Sequence, residues 1–198
     1  MPQLWIVAGP NGSGKTSLTR KHLLGKLPIV NPDEIAAQLS GPNRSPLDVA
    51  MQAGRQTLAI QRQHLDQRDT FALETTFSGT RELALVQKAK AAGYKVNLVF
   101  LCTNSPMTSM ARIAQRVRDG GHFVPDDDVA RRYQRSLANL AAGVSLADRA
   151  WLLDNTGERM RLVAAIERGQ VKKSTINLPQ WVKAAKIPAL EQGMGMGF

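Results

Sequence analysis

Apolar residues along this chain come in short runs separated by stretches of helical periodicity. Five runs stand out: Leu4-Trp5-Ile6-Val7-Ala8, Leu27-Pro28-Ile29-Val30-Asn31, Phe71 to Phe77, Val96 to Cys102 and Ala150-Trp151-Leu152-Leu153-Asp154. Each is strand length, and Val96 to Cys102 is apolar almost throughout, as in a strand buried on both faces. Between them the pattern predicts helices over Thr16 to about Gly25, from Pro32 through Ala37, Leu47 to Gln67, Thr80 to Ala92, Met107 to Val117 and Asp128 to Ala142. Gly25 and Gly93 are placed to end two of these helices, and Pro32 suits the first turn of another. Met160 to Arg168 reads as a last core helix. Strands alternating with helices at this spacing predict an α/β fold: a mostly parallel five-stranded sheet with helices on both faces.

In such sheets ligands collect beyond the carboxyl ends of the strands, so the residues that close each run are the first candidates for chemistry. The first run is followed by Gly9-Pro10-Asn11-Gly12-Ser13-Gly14-Lys15-Thr16, a full match to the phosphate-loop pattern in the strand-then-helix context that gives it meaning. Its glycines let successive backbone N–H groups turn toward an anion, and a helix starting near Lys15 aims its positive end at the same point. Lys15 is expected to reach the terminal phosphates, the Thr16 hydroxyl to hold Mg²⁺, and the loop with Ser17 to bind ATP or GTP. The second run ends in Asn31-Pro32-Asp33-Glu34, the third in Glu74-Thr75-Thr76 and the fifth in Asp154-Asn155-Thr156. Asp33 is expected to accept a proton from an attacking hydroxyl, with Glu74, Thr75 and Thr76 on the substrate side and Asn155 on the nucleotide side.

A second unusual stretch runs from Arg112 to Arg135 and holds six arginines and His122. Arg112 and Arg116 are four apart, as are Arg131 and Arg135, so each pair shares a helix face. Gly120 and Gly121 make a hinge between the two helices, with His122 beside it. Arginine suits multidentate binding of phosphate oxygens, so residues 105–143 are expected to form an arginine-rich helical lid that neutralises charge and excludes water. A solvated surface in which Arg118 or Arg132 pairs with the aspartates at 119 and 126–128 is the plainer alternative.

Composition adds boundaries. With 198 residues, 43% hydrophobic and 21% charged, the chain has room for one domain, taken as residues 1–169, and a short appendage. From Gln170 onward lysines alternate with Pro179, Trp181 and Pro188, which predicts a loosely attached basic tail with one amphipathic turn around Trp181. The net charge of +10 admits phosphorylated substrates, nucleic acid or an anionic membrane. Aromatic residues at 5% leave few platforms for stacking bases, and no apolar run nears the roughly 20 residues that span a bilayer, so neither nucleic acid nor membrane is the expected partner. Cys102 is the only cysteine and lies in an apolar run, so no disulfide forms within the chain. With an N-terminus that opens straight into a strand, this leads us to expect a soluble cytoplasmic protein.

Taken together, the loop GPNGSGKT, the segments NPDEIA and ALETTFSG, and RVRDGGHFVPDDDVARRYQRSLANL resemble the zeta toxin family of P-loop kinases over about Leu4 to Glu167. The resemblance implies a P-loop kinase-like three-layer fold and transfer of phosphate from ATP or GTP to the 3'-hydroxyl of UDP-N-acetylglucosamine, with a small helical epsilon antitoxin as partner. It implies Lys15 as the phosphate-binding lysine, Asp33 as the base and Glu74 as a substrate- or metal-orienting carboxylate. Arg116 matches the first lid arginine. The second essential arginine of larger members falls on or near His122, which leaves Arg132 or Arg131 to supply that charge, Arg131 otherwise serving the nucleotide and His122 the substrate. The alternatives from other classes are a kinase acting on nucleic acid and a nucleotide-dependent switch or ATPase. For the last, Leu39-Ser40-Gly41 is the nearest signature, and it follows the loop too soon.

Overall fold

The computed structural model describes residues 1–121 and 123–194. In chain order the elements are β1 (Gln3–Ala8), α1 (Lys15–His22), β2 (Ile29–Val30), α2 (Pro32–Leu39), α3 (Pro46–Gln67), β3 (Phe71–Thr75) and α4 (Arg81–Ala91). There follow β4 (Lys95–Cys102), α5 (Pro106–Arg118), α6 (Asp126–Leu146), β5 (Arg149–Asp154), β6 (Arg161–Glu167), β7 (Gln170–Ser174), α7 (Gln180–Ala184) and α8 (Pro188–Met194). All form one α/β body around a seven-stranded sheet in the order β2-β3-β1-β4-β5-β6-β7.

The first five strands in that order are parallel. The chain moves outward from β1 to β2, returns through β3, then crosses to β4 on the other side of β1. The strand order therefore reverses at β1, and the crevice that such a reversal opens lies where the phosphate loop leaves the sheet. Leu4, Ile6 and Ala8 are in register with Phe71, Leu73 and Thr75 on one side and Val96, Leu98 and Phe100 on the other. This face is buried with Leu85, Val86 and Ala89 of α4 and Tyr133, Leu140 and Val144 of α6 in one core. Lid residues Ile113, Val124 and Val129 form a second, separate small core, which lets α5 and the start of α6 hold their own shape beside the sheet.

Two expectations fail. The sheet has seven strands instead of five, because Arg161–Glu167 is a strand and not a helix. Its alanines favour helix in isolation, but β6 pairs antiparallel with β5 and buries Val163, Ala164 and Ile166. Arg168 and Gly169, with φ of 50° and 76°, then make the two-residue turn with positive φ at both positions that suits a hairpin, and β7 returns alongside β6. Nor is the segment after Gln170 loosely attached. Trp181 is 2% exposed with its ring 5.9 Å from that of Phe100, and Val182, Ile187 and Leu190 join the same core. Burying an indole and three aliphatic side chains outweighs the ordering of a short lysine-rich segment, whose charges stay at the surface.

Candidate active site

The loop from Gly9 to Thr16 is enclosed by three elements. Gly14, in the left-handed region at φ 99°, is the N-cap of α1, and a Cβ there would lie 2.5 Å from Asn155 Nδ2. Gly12, at φ 73°, sits against the Ser109 carbonyl of α5, 2.6 Å from where a Cβ would be. Both positions therefore require glycine for conformation and for space. Asn155, expected on the nucleotide side, donates from Nδ2 to the Ser13 carbonyl at 2.9 Å, while its own N–H donates to the Cys102 carbonyl at 2.8 Å. It thus braces the loop from the end of β5. Ser13 is fully buried and Asn11 nearly so, and Asn11 Oδ1 and Ser13 Oγ have no hydrogen-bond partner among the described residues. Buried, unpaired polar atoms beside inward-turned amides fit a loop built to surround a phosphate group. Ser17 is exposed on the first turn of α1.

Lys15 is 9% exposed and donates from Nζ to the Pro10 carbonyl at 2.9 Å. Burial lowers its pKa to about 8, against the raising influence of the Glu74 and Asp33 carboxylates and with the Arg116 guanidinium pushing the same way as burial. Four of the expected catalytic or substrate groups, Lys15, Asp33, Glu74 and Arg116, therefore share one electrostatic neighbourhood; Arg132 does not act on Lys15. Glu74, 5% exposed at the end of β3, accepts a hydrogen bond of 2.5 Å from the Thr16 hydroxyl. A hydroxyl that donates to a carboxylate keeps its lone pairs for a cation, so the pair fits Mg²⁺, which takes hard oxygen ligands and completes its shell with water and phosphate oxygens.

Asp33 occupies the second position of α2. The cap of that helix is Asn31, whose Oδ1 accepts from the Asp33 N–H at 3.0 Å and the Glu34 N–H at 3.4 Å. The Asp33 carboxylate is consequently not consumed in capping; it is exposed and makes no hydrogen bond or ion pair among the described residues. On the lid, Arg131 is paired with Asp128 at 2.6 Å and is 56% exposed, whereas Arg132 stands 3.8 Å from the same carboxylate and is 35% exposed. Arg118 is hydrogen bonded to Gln115 rather than to an aspartate. The structure joins Thr16 to Glu74 beside Lys15, and the charges of Asp33 and Arg116 act on Lys15; His122 lies outside the described residues.

A family model described as an AAA domain matches residues 4–140. The chain belongs to the AAA domain family. An uncharacterized protein of Haemophilus influenzae is 31% identical over 138 residues, which cover 66% of this chain and 97% of that one. Among solved structures, the AvrRxo1-ORF1:-ORF2 complex in its native form matches at TM-score 0.74 and 20% identity, over 94% of this chain and 64% of the other. The same complex with ATP matches at TM-score 0.71 and 18% identity, over 98% and 63%. The PezAT chromosomal toxin–antitoxin system of Streptococcus pneumoniae matches at TM-score 0.67 and 16% identity, over 98% of this chain and 85% of that one. The chain thus spans just under two thirds of the AvrRxo1 chain length and shares its fold.

Several contacts that shape the site escape a reading of the sequence. Tyr133 of α6 donates to the Thr103 carbonyl at 2.6 Å, anchoring the lid helix at the end of β4. Burial raises its pKa, as it pushes the neighbouring Cys102 thiol up to about 12, so both stay neutral and neither is poised as a nucleophile. Arg112 reaches from α5 to the carbonyls of Thr156 and Gly157, each at 3.4 Å. Burial alone would raise the pKa of Asp154, but hydrogen bonds from the Thr156 hydroxyl and the Arg161 guanidinium outweigh it and hold the carboxyl below its usual value. The turn after β5 is thereby fixed beside the phosphate loop. Among the described residues no helix is long and apolar enough to cross a membrane.

Proposed function

We propose that the protein is an ATP- or GTP-dependent phosphotransferase of the zeta toxin type, moving the γ-phosphoryl group to a hydroxyl of a UDP-sugar such as UDP-N-acetylglucosamine. The observation that carries this reading is that β2 and β3, neighbours in the sheet, lead at their carboxyl ends to two carboxylates beside the phosphate loop: Glu74, tied to Thr16 of that loop, and Asp33, whose carboxylate is exposed and makes no hydrogen bond among the described residues. A nucleotide-binding switch needs the phosphate loop but not the Asp33 carboxylate. Likeness of fold to a toxin–antitoxin system supports a cytoplasmic toxin held in check by an epsilon-type antitoxin.

In this reading the acceptor hydroxyl gives its proton to the Asp33 carboxylate as its oxygen bonds to the γ-phosphorus. The bond from that phosphorus to the β–γ bridging oxygen breaks, and the nucleoside diphosphate leaves. Lys15 holds the terminal phosphates, while Arg116 and a second arginine on α6 meet the charge that builds on the transferred group. Thr16, with Glu74 orienting it, would hold Mg²⁺, which supplies further neutralisation of phosphate charge. Incubation with γ-labelled ATP and a panel of nucleotide sugars is expected to label UDP-N-acetylglucosamine, with Lys15→Ala as the blank. Label released only as inorganic phosphate, whatever sugar is present, would overturn the assignment.

The depressed pKa of Lys15 gives a second check. At pH 8.5 a lysine of pKa about 8 is mostly neutral, and bound triphosphate recharges it, so binding is expected to take up roughly three quarters of a proton. At pH 7 the lysine is already charged and the uptake falls to about a tenth. Calorimetry in buffers of different ionisation enthalpy measures this directly; equal uptake at both pH values counts against Lys15 as the phosphate cation.

A further inference from the structure

The loop between β3 and α4 is held in an unusual shape by residues that are distant in sequence. Phe77 adopts φ 57°, a conformation costly for a bulky residue, and its ring is fully buried, edge-on to Phe100 at 6.5 Å. A Cβ at Gly143 of α6 would come within 2.8 Å of that ring, so glycine there makes the slot it occupies. From the α4 side, Glu82 accepts from the Thr75 hydroxyl at 2.7 Å, and the Thr75 oxygen accepts from the Phe77 N–H at 3.1 Å. From the α6 side, Asn139 Nδ2 donates to the carbonyls of Phe77 at 3.0 Å and Gly79 at 2.9 Å. Both partners are carbonyl oxygens, so only the amide nitrogen can face them, and both of its hydrogens are used.

What this bracing presents is a pair of hydroxyls, Thr76 and Ser78, 2.9 Å apart and partly exposed, two and four residues after Glu74. Asn139 also lies seven residues after Arg132 on the same helix. Seven residues make nearly two full turns, so the two side chains leave the same face of α6, roughly 10 Å apart along its axis. One rigid element therefore carries a lid arginine at one end and the clamp on the β3–α4 loop at the other.

We propose that Asn139 is a positioning residue that couples the lid to the acceptor loop, so that movement of α6 on nucleotide binding sets the placement of Thr76 and Ser78 for a hydroxyl-rich acceptor. The proposal rests on the kinase reading of the same site. It is tested by hydrogen–deuterium exchange with and without ATP and Mg²⁺, and by steady-state kinetics with UDP-N-acetylglucosamine. In the unmodified protein ATP is expected to slow exchange both in residues 9–16, which it touches, and in residues 76–80, which it does not. In Asn139→Ala the protection of 9–16 persists and that of 76–80 is lost, while KM for the sugar nucleotide rises about tenfold, the scale of two neutral hydrogen bonds, with KM for ATP unchanged. Asn139→Gln, which keeps the amide but shifts it by one methylene, is expected to show the same loss and serves if the alanine variant is unstable. The coupling is wrong if residues 76–80 respond to ATP equally in the variants, or fail to respond in the unmodified protein while 9–16 are protected. Absence of protection at 9–16 in the unmodified protein would instead remove the kinase reading, and the coupling with it. Exchange in β1 and β4 reports whether each variant is folded.

Discussion

Asp33→Asn is expected to lower phosphoryl transfer to UDP-N-acetylglucosamine by about 10²- to 10⁴-fold, the usual contribution of a positioned general base, and to leave ATP affinity nearly unchanged. The substitution is a clean probe because the helix does not depend on the side chain. Asn31 caps α2 through the backbone N–H groups of Asp33 and Glu34, and an asparagine at 33 keeps the same outline. A subsidiary effect separates loss of the base from general damage. The Asp33 carboxylate is one of the groups that raise the pKa of Lys15 against burial, so its neutralisation should lower that pKa further and increase the proton uptake on ATP binding. A variant that transfers phosphate at the full rate would remove Asp33 from the mechanism; one that loses ATP binding as well would make its role electrostatic support of Lys15.

The donor half of the site was legible because its chemistry is local. Glycines with positive φ, followed by Lys15 and Thr16 at the start of a helix, lie within one short segment, and β1 before them reads as a strand without any tertiary knowledge. Asp33 and Glu74 were legible one step further, because a parallel sheet sends the carboxyl ends of neighbouring strands to one edge. What was not legible depends on packing. Arg161–Glu167 reads as a helix until β5 is present to pair with it, and the lysines around Trp181 read as a tail until the indole finds Phe100. Asn139 acts through two hydrogen bonds to carbonyls 62 and 60 residues away and Tyr133 through one to a carbonyl 30 residues away, and no periodicity encodes such partners. The one available signal was the presence of Asn139 in mid-helix, where a residue of modest helix propensity often has another duty.

The choice between the two neighbouring lid arginines, which spacing left open, has a physical answer. Arg132→Ala is expected to reduce transfer by about 10³- to 10⁵-fold, the range for an arginine that stabilises a transferring phosphoryl group, whereas Arg131→Ala changes it only a few-fold. Arg131 is more exposed and held in a 2.6 Å pair with Asp128, so recruiting it to the phosphate first requires breaking a good contact at the surface. Arg132 is tied to the same carboxylate only at 3.8 Å, and it shares the helix face of Asn139, the face turned toward the loop that follows Glu74. A rotation of α6 that closes the Asn139 face onto that loop carries Arg132 with it, whereas Arg131 points about 100° away around the helix. Arg132→Lys should restore little, since a single ammonium cannot reproduce a planar fork on two oxygens. Reversed ranks for the two alanine variants in a γ-phosphate transfer assay would mean that α6 turns the other way on closing, and the coupling through Asn139 would then need the opposite rotation to hold.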